Sequence, residues 1–560
     1  MHIKYKLDLK PSPNFLLHPS LLLSSYPPPP PHHSLQVPQG TSIRFNCDHF
    51  SWFFAHNIMK YQQSFNVVAA ALAATVSAAP FTPRHLNWTV GQEVPTTSGM
   101  VAGHAAPDVP EVSEYLGIPY AMPPVGSLRW QPPVAFSGSN ETIDATKFGA
   151  SCMQAPFVIP PPVPIVDNPE SEDCLTLNVW GKPQKGERAK AVLVWVYGGA
   201  YSSGTSADPA FSGRFIADSE DVIVVSMNYR LNVFGYPGNP ALPGNLGLRD
   251  VRLAMEWVRD NVEHFGGDPS RITLFGQSAG SGNVDAYSYA YEEDPIASGF
   301  ILMSATLYGF PALEPAVVAE RWYHITNLVG CGNETTSTAE EVSDCMMTKT
   351  TEEVLAGYDP ANLPAVNPYA PMIDDDVVFS SYVDRNVAKA GYLIGNTWNE
   401  AGLFKAAMPP QTDEYWATEF NARLYTCAGA VRIDQAQAQG NPAWRYLYFG
   451  DFPNLAVSID PPSGAYHTAD LAPLFNTVSQ EKGPSTPEEI AVGDYLRDVW
   501  SSFAKNPQSG LDSFWPQYAD DTMSMAQTGF NNQTMVLTQG DTYDDVCHWD
   551  YTAVGQSTPL

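Results

Sequence analysis

Ser278 stands at the centre of Gly276-Gln277-Ser278-Ala279-Gly280, directly behind the apolar, β-branched run RITLF at 271–275. A serine hydroxyl at its ordinary acidity is a poor nucleophile; it needs a base to take its proton and an acid to hold that base. Gly-x-Ser-x-Gly after a strand is the spacing of a nucleophile elbow, a tight turn that lifts the serine above a sheet. The helix that follows aims its positive end and free N–H groups at the site. A side chain at either glycine position would strike neighbouring elements. Three histidines follow Ser278 in the chain: His324, His467 and His548. His548 adjoins Cys547, and His324 lies in a helical pattern ahead of most candidate acids. His467, in PPSGAYHTADL, sits in a glycine-flanked loop that opens a helix, and it fits the chain order serine, acid, histidine. Glu400 lies just beyond the strand-like run YLIGNT, where sites of open α/β sheets assemble, while Asp374, Asp375 and Asp376 remain rivals. Gly198-Gly199-Ala200 after AVLVWVY brings backbone close enough to hold an oxyanion, with Gly199, Ala200 and Ala279 as donors. Each such donor is typically worth about 100- to 1000-fold in rate.

The elements that must position these groups are also readable. AVLVWVY at 191–197, DVIVVSMNY at 221–229, RITLF, SGFILMS at 298–304 and AGYLIGNT at 390–397 predict buried strands. DVRLAMEWVRDNVEHF at 250–265 places Val251, Leu253, Ala254, Trp257, Val258 and Val262 along one helical stripe. Alternating strands and helices predict the α/β class, with a large, mostly parallel central sheet flanked by helices. No internal repeat or low-complexity linker interrupts the chain after residue 80.

Length, charge and cysteines bound the rest. The chain has 560 residues and a formal net charge of -30. Such an acidic surface argues against nucleic acid and anionic membranes as partners. MKYQQSFNVVAAALAATVSA at 59–78 reads as a secretory signal cleaved before Ala79, too short in its apolar part to span a bilayer. The preceding residues 1–58, with YPPPPPHHS and a lone Cys47, read as a disordered extension from a start placed too early, Met59 being the first residue. The mature protein is then one catalytic domain over 79–560. Six cysteines remain, Cys152, Cys174, Cys331, Cys345, Cys427 and Cys547, and an even count behind a signal predicts disulfides rather than a metal site. Asn87, Asn140, Asn333 and Asn532 are candidate glycosylation sequons.

Several ordered motifs together resemble the type-B carboxylesterase/lipase family, the cholinesterase-like branch of the α/β-hydrolases that includes secreted fungal carboxylesterases. They are YLGIPYAMPPVGSLRWQPP (115–133), SEDCLTLNVW (171–180), VWVYGGAY (194–201), GNLGLRDVRLAMEWVRDNVEHFGGDPSRITLFGQSAGSG (244–282), APMIDDD (370–376), GNTWNEAGLF (395–404) and GAYHTADL (464–471). The resemblance implies an α/β-hydrolase fold with Ser278 as nucleophile, Glu400 as acid and His467 as base, and it makes Asp374–Asp376 structural. It matches Ser304, in FILMSATL, to a serine that supports the acid, and Arg129 and Glu172 to a buried ion pair. It implies disulfides Cys152–Cys174 and Cys331–Cys345, each worth about 3 kcal/mol by loop entropy. Cys427 and Cys547 remain as the third pair.

Two departures bear on the substrate. Gln277 stands where the family usually has glutamate, and residues 153–173 hold no tryptophan to grip a quaternary ammonium by cation–π attraction. Choline esters are therefore disfavoured, and a short, proline-stiffened loop in place of a long lid disfavours strong interfacial activation. Ala200 for a third glycine leaves the amide in place. The expectation is a secreted serine carboxylesterase acting on small or medium-sized neutral esters, needing no metal or cofactor, with no stable membrane anchor, as a monomer or weak dimer. The alternatives are a triacylglycerol lipase of the same family, or an inactive homologue serving adhesion or binding.

Overall fold

Runs of branched and aromatic residues with few charges have to be covered on both sides, and they pair here as parallel neighbours. The computed structural model describes residues 88–138, 141–154, 166–183, 189–357, 369–405, 408–479 and 483–551, which belong to one compact unit, Pro83–Leu560. The leader, the signal segment, Asn87, Asn140 and the middle of the 153–173 loop lie outside the described residues.

The main sheet has eleven strands: β1 (His104–Ala105), β2 (Ser113–Pro119), β3 (Thr176–Gly181), β4 (Lys190–Val196), β5 (Ile223–Met227), β6 (Gly267–Gln277), β7 (Gly299–Met303), β8 (Gly391–Thr397), β9 (Ala443–Tyr448), β10 (Met523–Thr528) and β11 (Met535–Gln539). Their spatial order is β11-β10-β9-β8-β7-β6-β4-β5-β3-β2-β1. From β5 to β10 every neighbouring pair is parallel, and the strands at both edges are antiparallel. Every residue of β4, β5, β7, β8 and β9 is buried. A separate three-stranded sheet joins Val94–Thr96, Gly99–Ala102 and Ile143–Asp144.

The helices that matter to the site are α1 (Leu246–Asn261), α2 (Ala279–Ala290), α3 (Pro315–Leu328), α4 (Ala428–Ala438), α5 (Leu471–Phe475) and α6 (Pro487–Lys505). A π-helix, Trp416–Cys427, runs directly into α4. The predicted helix at 250–265 is α1 plus a 3-10 turn, and it stops at Gly266, whose φ of 86° suits only glycine without strain. At the sheet centre Trp195 of β4 packs against Phe275 of β6 and Phe475 of α5, with ring centroids 4.9 and 5.1 Å apart.

Two differences from the sequence reading have physical causes. β6 extends back through Asp268-Pro269-Ser270, ahead of the predicted run RITLF, because Gly267 pairs with Lys190 and a bulge absorbs the irregular stretch. β9 was hidden by Arg445 in its middle; the guanidinium stays buried by pairing with Asp544 at 2.5 and 2.8 Å. All three disulfides form, Cys152–Cys174, Cys331–Cys345 and Cys427–Cys547. Arg129 and Glu172 form the expected ion pair, backed by Lys349 O accepting from Arg129 at 2.7 Å and by the Thr351 hydroxyl on Glu172.

Candidate active site

The elbow is built by close approach. Ser278, between β6 and α2, has φ 57° and ψ -126°, a strained conformation of the kind that costs about 1–3 kcal/mol. A Cβ on Gly280 would lie 2.1 Å from Val196 O, and one on Gly276 would lie 2.6 Å from the Gly280 backbone. The small residues therefore let α2 start against the end of β4. Across the same gap a Cβ on Gly198 would lie 2.9 Å from Ser278 Cβ, so the glycine run after β4 abuts the elbow. Gly199 has φ 119° and Ala200 φ 54°. Ala279 is the first residue of α2, where a helix leaves its N–H groups without helical partners. Gly198 and Ala279 are thus backbone neighbours of the serine, and Gly199 and Ala200 follow Gly198 in the chain.

Glu400 and His467 meet although they are 67 residues apart, with His467 Nδ1 hydrogen-bonded to Glu400 Oε2. Glu400 is fully buried, and its other oxygen accepts from the Thr397 amide at 2.8 Å. The two loops are stitched together one residue before the acid. Asn399 N–H donates to Ala465 O at 2.9 Å, and its side-chain amide donates to Ser463 O at 2.7 Å. Gly402 completes the seam, since a Cβ there would lie 2.0 Å from Ser463 O. Phe404 and Tyr425 wall the imidazole, with ring centroids 5.2 and 5.7 Å from His467. Burial, with the charge of Glu400 as the second cause, pushes the Tyr425 hydroxyl well above its usual range, so it remains a neutral phenol.

The fourth member is Gln277, 2 % exposed, whose Nε2 lies 3.1 Å from His467 Nε2. With the ring proton on Nδ1 facing Glu400, the Nε2 lone pair accepts from the Gln277 amide. The Ser278 hydroxyl is half-buried and makes no hydrogen bond among the described residues. In this arrangement Gln277 occupies the nitrogen that a serine nucleophile would use.

Other expected residues sort cleanly. Ser304 is buried at the end of β7, but its Oγ has no hydrogen-bond partner, so it does not support Glu400 here; the Thr397 amide does. Asp374 is structural: Oδ1 accepts from the amides of Asp376, Val377 and Val378 at 3.1, 2.9 and 2.9 Å, and Oδ2 from the Asn245 side chain at 2.9 Å. His324 lies within α3, and His548 stacks on Trp549 at the surface. Thr397, Asn399 and Phe404 lie inside GNTWNEAGLF with nothing in it to single them out beside Glu400, and Tyr425 lies in no motif at all. Among the described residues no group of three or more His, Cys, Asp or Glu is placed to hold a metal, and no helix is long and apolar enough to cross a membrane.

The carboxylesterase family model matches residues 91–427. The chain belongs to the carboxylesterase family. Its sheet and helices are accordingly those of an α/β-hydrolase, and it is a carboxylic ester hydrolase whose substrates are small-molecule esters. The family members it is similar to include a chlorogenic acid esterase of Aspergillus niger, 32 % identical over 82 % of this chain and 94 % of that protein. Secreted lipase 5 of Gibberella zeae is 33 % identical over 77 % of this chain and 88 % of its own length. A mouse cholinesterase is 38 % identical, but over only 47 % of this chain and 44 % of that protein.

Proposed function

We propose that this carboxylesterase-family enzyme is a secreted serine esterase that hydrolyses neutral esters through an acyl-enzyme. Ser278 attacks the ester carbonyl while His467 takes its proton at Nε2, which the Gln277 amide must first release, and Glu400 orients the ring and offsets the imidazolium charge. The amides of Gly199, Ala200 and Ala279 hold the tetrahedral oxyanion. His467 then passes the proton to the departing alcohol and takes another from water; the hydroxide formed adds to the acyl carbonyl, and the imidazolium returns its proton to the Ser278 oxygen as the acid leaves. The observation that carries this reading is the His467–Glu400 hydrogen bond in a loop seam beside a strained serine elbow. Residues 59–78 act as the secretory signal and 79–560 as a single catalytic domain, free of nucleic acid and working as a monomer or weak dimer. Three disulfides and a net charge of -30 support an extracellular setting.

The deciding experiment is labelling of the folded enzyme with an organophosphate, followed by peptide mapping. An adduct on Ser278, absent in Ser278→Ala, is expected. Absence of any adduct on folded protein favours an inactive binding homologue instead. Neutral Gln277 supports neutral over cationic alcohol groups, so preference for butyrylthiocholine would overturn that part. The names of two relatives, a chlorogenic acid esterase and a secreted lipase, put chlorogenic acid and a lipid ester beside p-nitrophenyl esters in the substrate series. Activity confined to long chains and activated above their solubility limit would assign a lipase.

A further inference from the structure

Behind the acid lies a second carboxyl group that the mechanism does not use. Asp470 follows His467 by three residues and is the N-cap of α5. It is 1 % exposed, and neither carboxyl oxygen has a hydrogen-bond partner. The groups that act on it from the surrounding elements are Glu400 after β8, Tyr446 and Tyr448 of β9, and Tyr466 of its own loop. Beyond them Tyr448 also feels Glu489 of α6 and Asp451. None of these is a cation. Both tyrosine hydroxyls are themselves buried without a protein partner, and both are pushed well above their ordinary range by burial, so they remain neutral. An ionised Asp470 would thus sit without a countercharge, with only its own backbone amide to oppose burial and the charge of Glu400. Burial of a lone charge on such terms costs several kcal/mol, and a carboxyl group avoids it by keeping its proton.

We propose that Asp470 works as a neutral carboxylic acid, a positioning residue that keeps its proton and so sets no second negative charge against Glu400 behind His467. This rests on the reading of Glu400 and His467 as acid and base. Burial, followed by the charge of Glu400, raises the Asp470 carboxyl to about 7, so the proton is present at mildly acidic pH and leaves as the medium turns alkaline. Its departure sets a second buried negative charge against Glu400 and disturbs the seam that aligns His467. The site is therefore arranged for work on the acid side of neutrality.

Infrared spectra of wild-type enzyme carrying ¹³C-carboxyl aspartate test this directly, because a protonated carboxylic acid absorbs apart from carboxylates and its band shifts with the label. The expected result is a label-sensitive acid band that outlasts that of Asp434, itself raised to about 6, as the pH climbs, and that is missing in Asp470→Asn. In parallel, kcat should fall in Asp470→Leu and recover in Asp470→Asn, whose alkaline limb extends beyond that of the wild type. Absence of the band at mildly acidic pH, or an Asp470→Asn profile that superimposes on the wild type, overturns the proposal. Should neither variant fold, titration of the labelled wild-type band decides alone. Organophosphate labelling of Ser278 reports separately on the reading beneath it.

Discussion

Ser278, His467, Glu400 and Gln277 carry the residue-scale consequences. Ser278→Ala is expected to lower kcat by about a millionfold, the scale seen when a triad nucleophile is removed. Glu400→Gln keeps the shape but loses the charge facing Nδ1, and a fall of about 10,000-fold is expected. Both are read from ester hydrolysis by purified enzyme whose thermal midpoint matches the wild type. Gln277 offers the sharper test because its amide donates to the His467 Nε2 lone pair at 3.1 Å. A glutamate there could bond that nitrogen only when it carries a proton. Gln277→Glu should therefore move the acid limb of kcat/KM to higher pH and raise relative activity on cationic esters, measured as a pH profile with butyrylthiocholine against a neutral ester. An unmoved limb would mean that the amide does not govern the base.

At the scale of elements the site depends on how closely backbone segments approach. Gly280→Ala places a methyl group 2.1 Å from Val196 O, so the end of β4 or the start of α2 must shift. Overpacking of this kind typically costs about 1–3 kcal/mol. Activity should fall more steeply than stability, because the displaced turn carries Ser278; urea melts and kinetics on one preparation compare the two. The Cys427–Cys547 disulfide closes a separation of 120 residues and ties the end of the π-helix to the C-terminal segment. Loop entropy assigns it about 4–5 kcal/mol. Cys427→Ser with Cys547→Ser should lower the denaturant midpoint accordingly, and the π-helix, which bears Tyr425 beside His467, should gain amide-exchange rate first.

The whole molecule is acidic, and its stability should follow pH in a definite sense. Burial, with neighbouring acids as the lesser cause, raises Asp470 to about 7 and Asp434 to about 6, both from 3.8. A carboxyl raised in the folded state contributes stability that is fully present below its unfolded value. That contribution is lost as pH climbs through the folded value. The thermal midpoint should therefore decline between about pH 4 and pH 7, with self-repulsion from the net charge of -30 adding to the fall. Calorimetry across that range checks it, and a midpoint that rises with pH would contradict both assignments. Below about pH 4 the trend reverses at exposed Asp375 and half-buried Asp268, whose carboxyl groups are held low by hydrogen bonds from Ser380 and, against partial burial, from Ser270 and Arg271. Of the sequons within the described residues, Asn532 lies exposed with no side-chain hydrogen bond, whereas the Asn333 carbonyl is engaged by Thr335.

Local chemistry and chain order were enough to identify the elbow, the five strands leading to the site, the glycine run and the histidine loop. These signals are legible because tight turns and buried strands constrain residue type at adjacent positions. Residue type and order left Glu400 and three aspartates open; the family resemblance favoured Glu400, and tertiary contact with His467 separates them. The loop seam at Asn399, the Thr397 amide on Glu400, the capture of His467 Nε2 by Gln277 and the stranded carboxyl of Asp470 exist only in three dimensions. Each joins groups whose separation along the chain leaves no periodicity, and each depends on distances of a few tenths of an ångström and on exclusion of water. The sequence by itself determined which groups could react; folding decided which of them share a proton, and which one must keep its own.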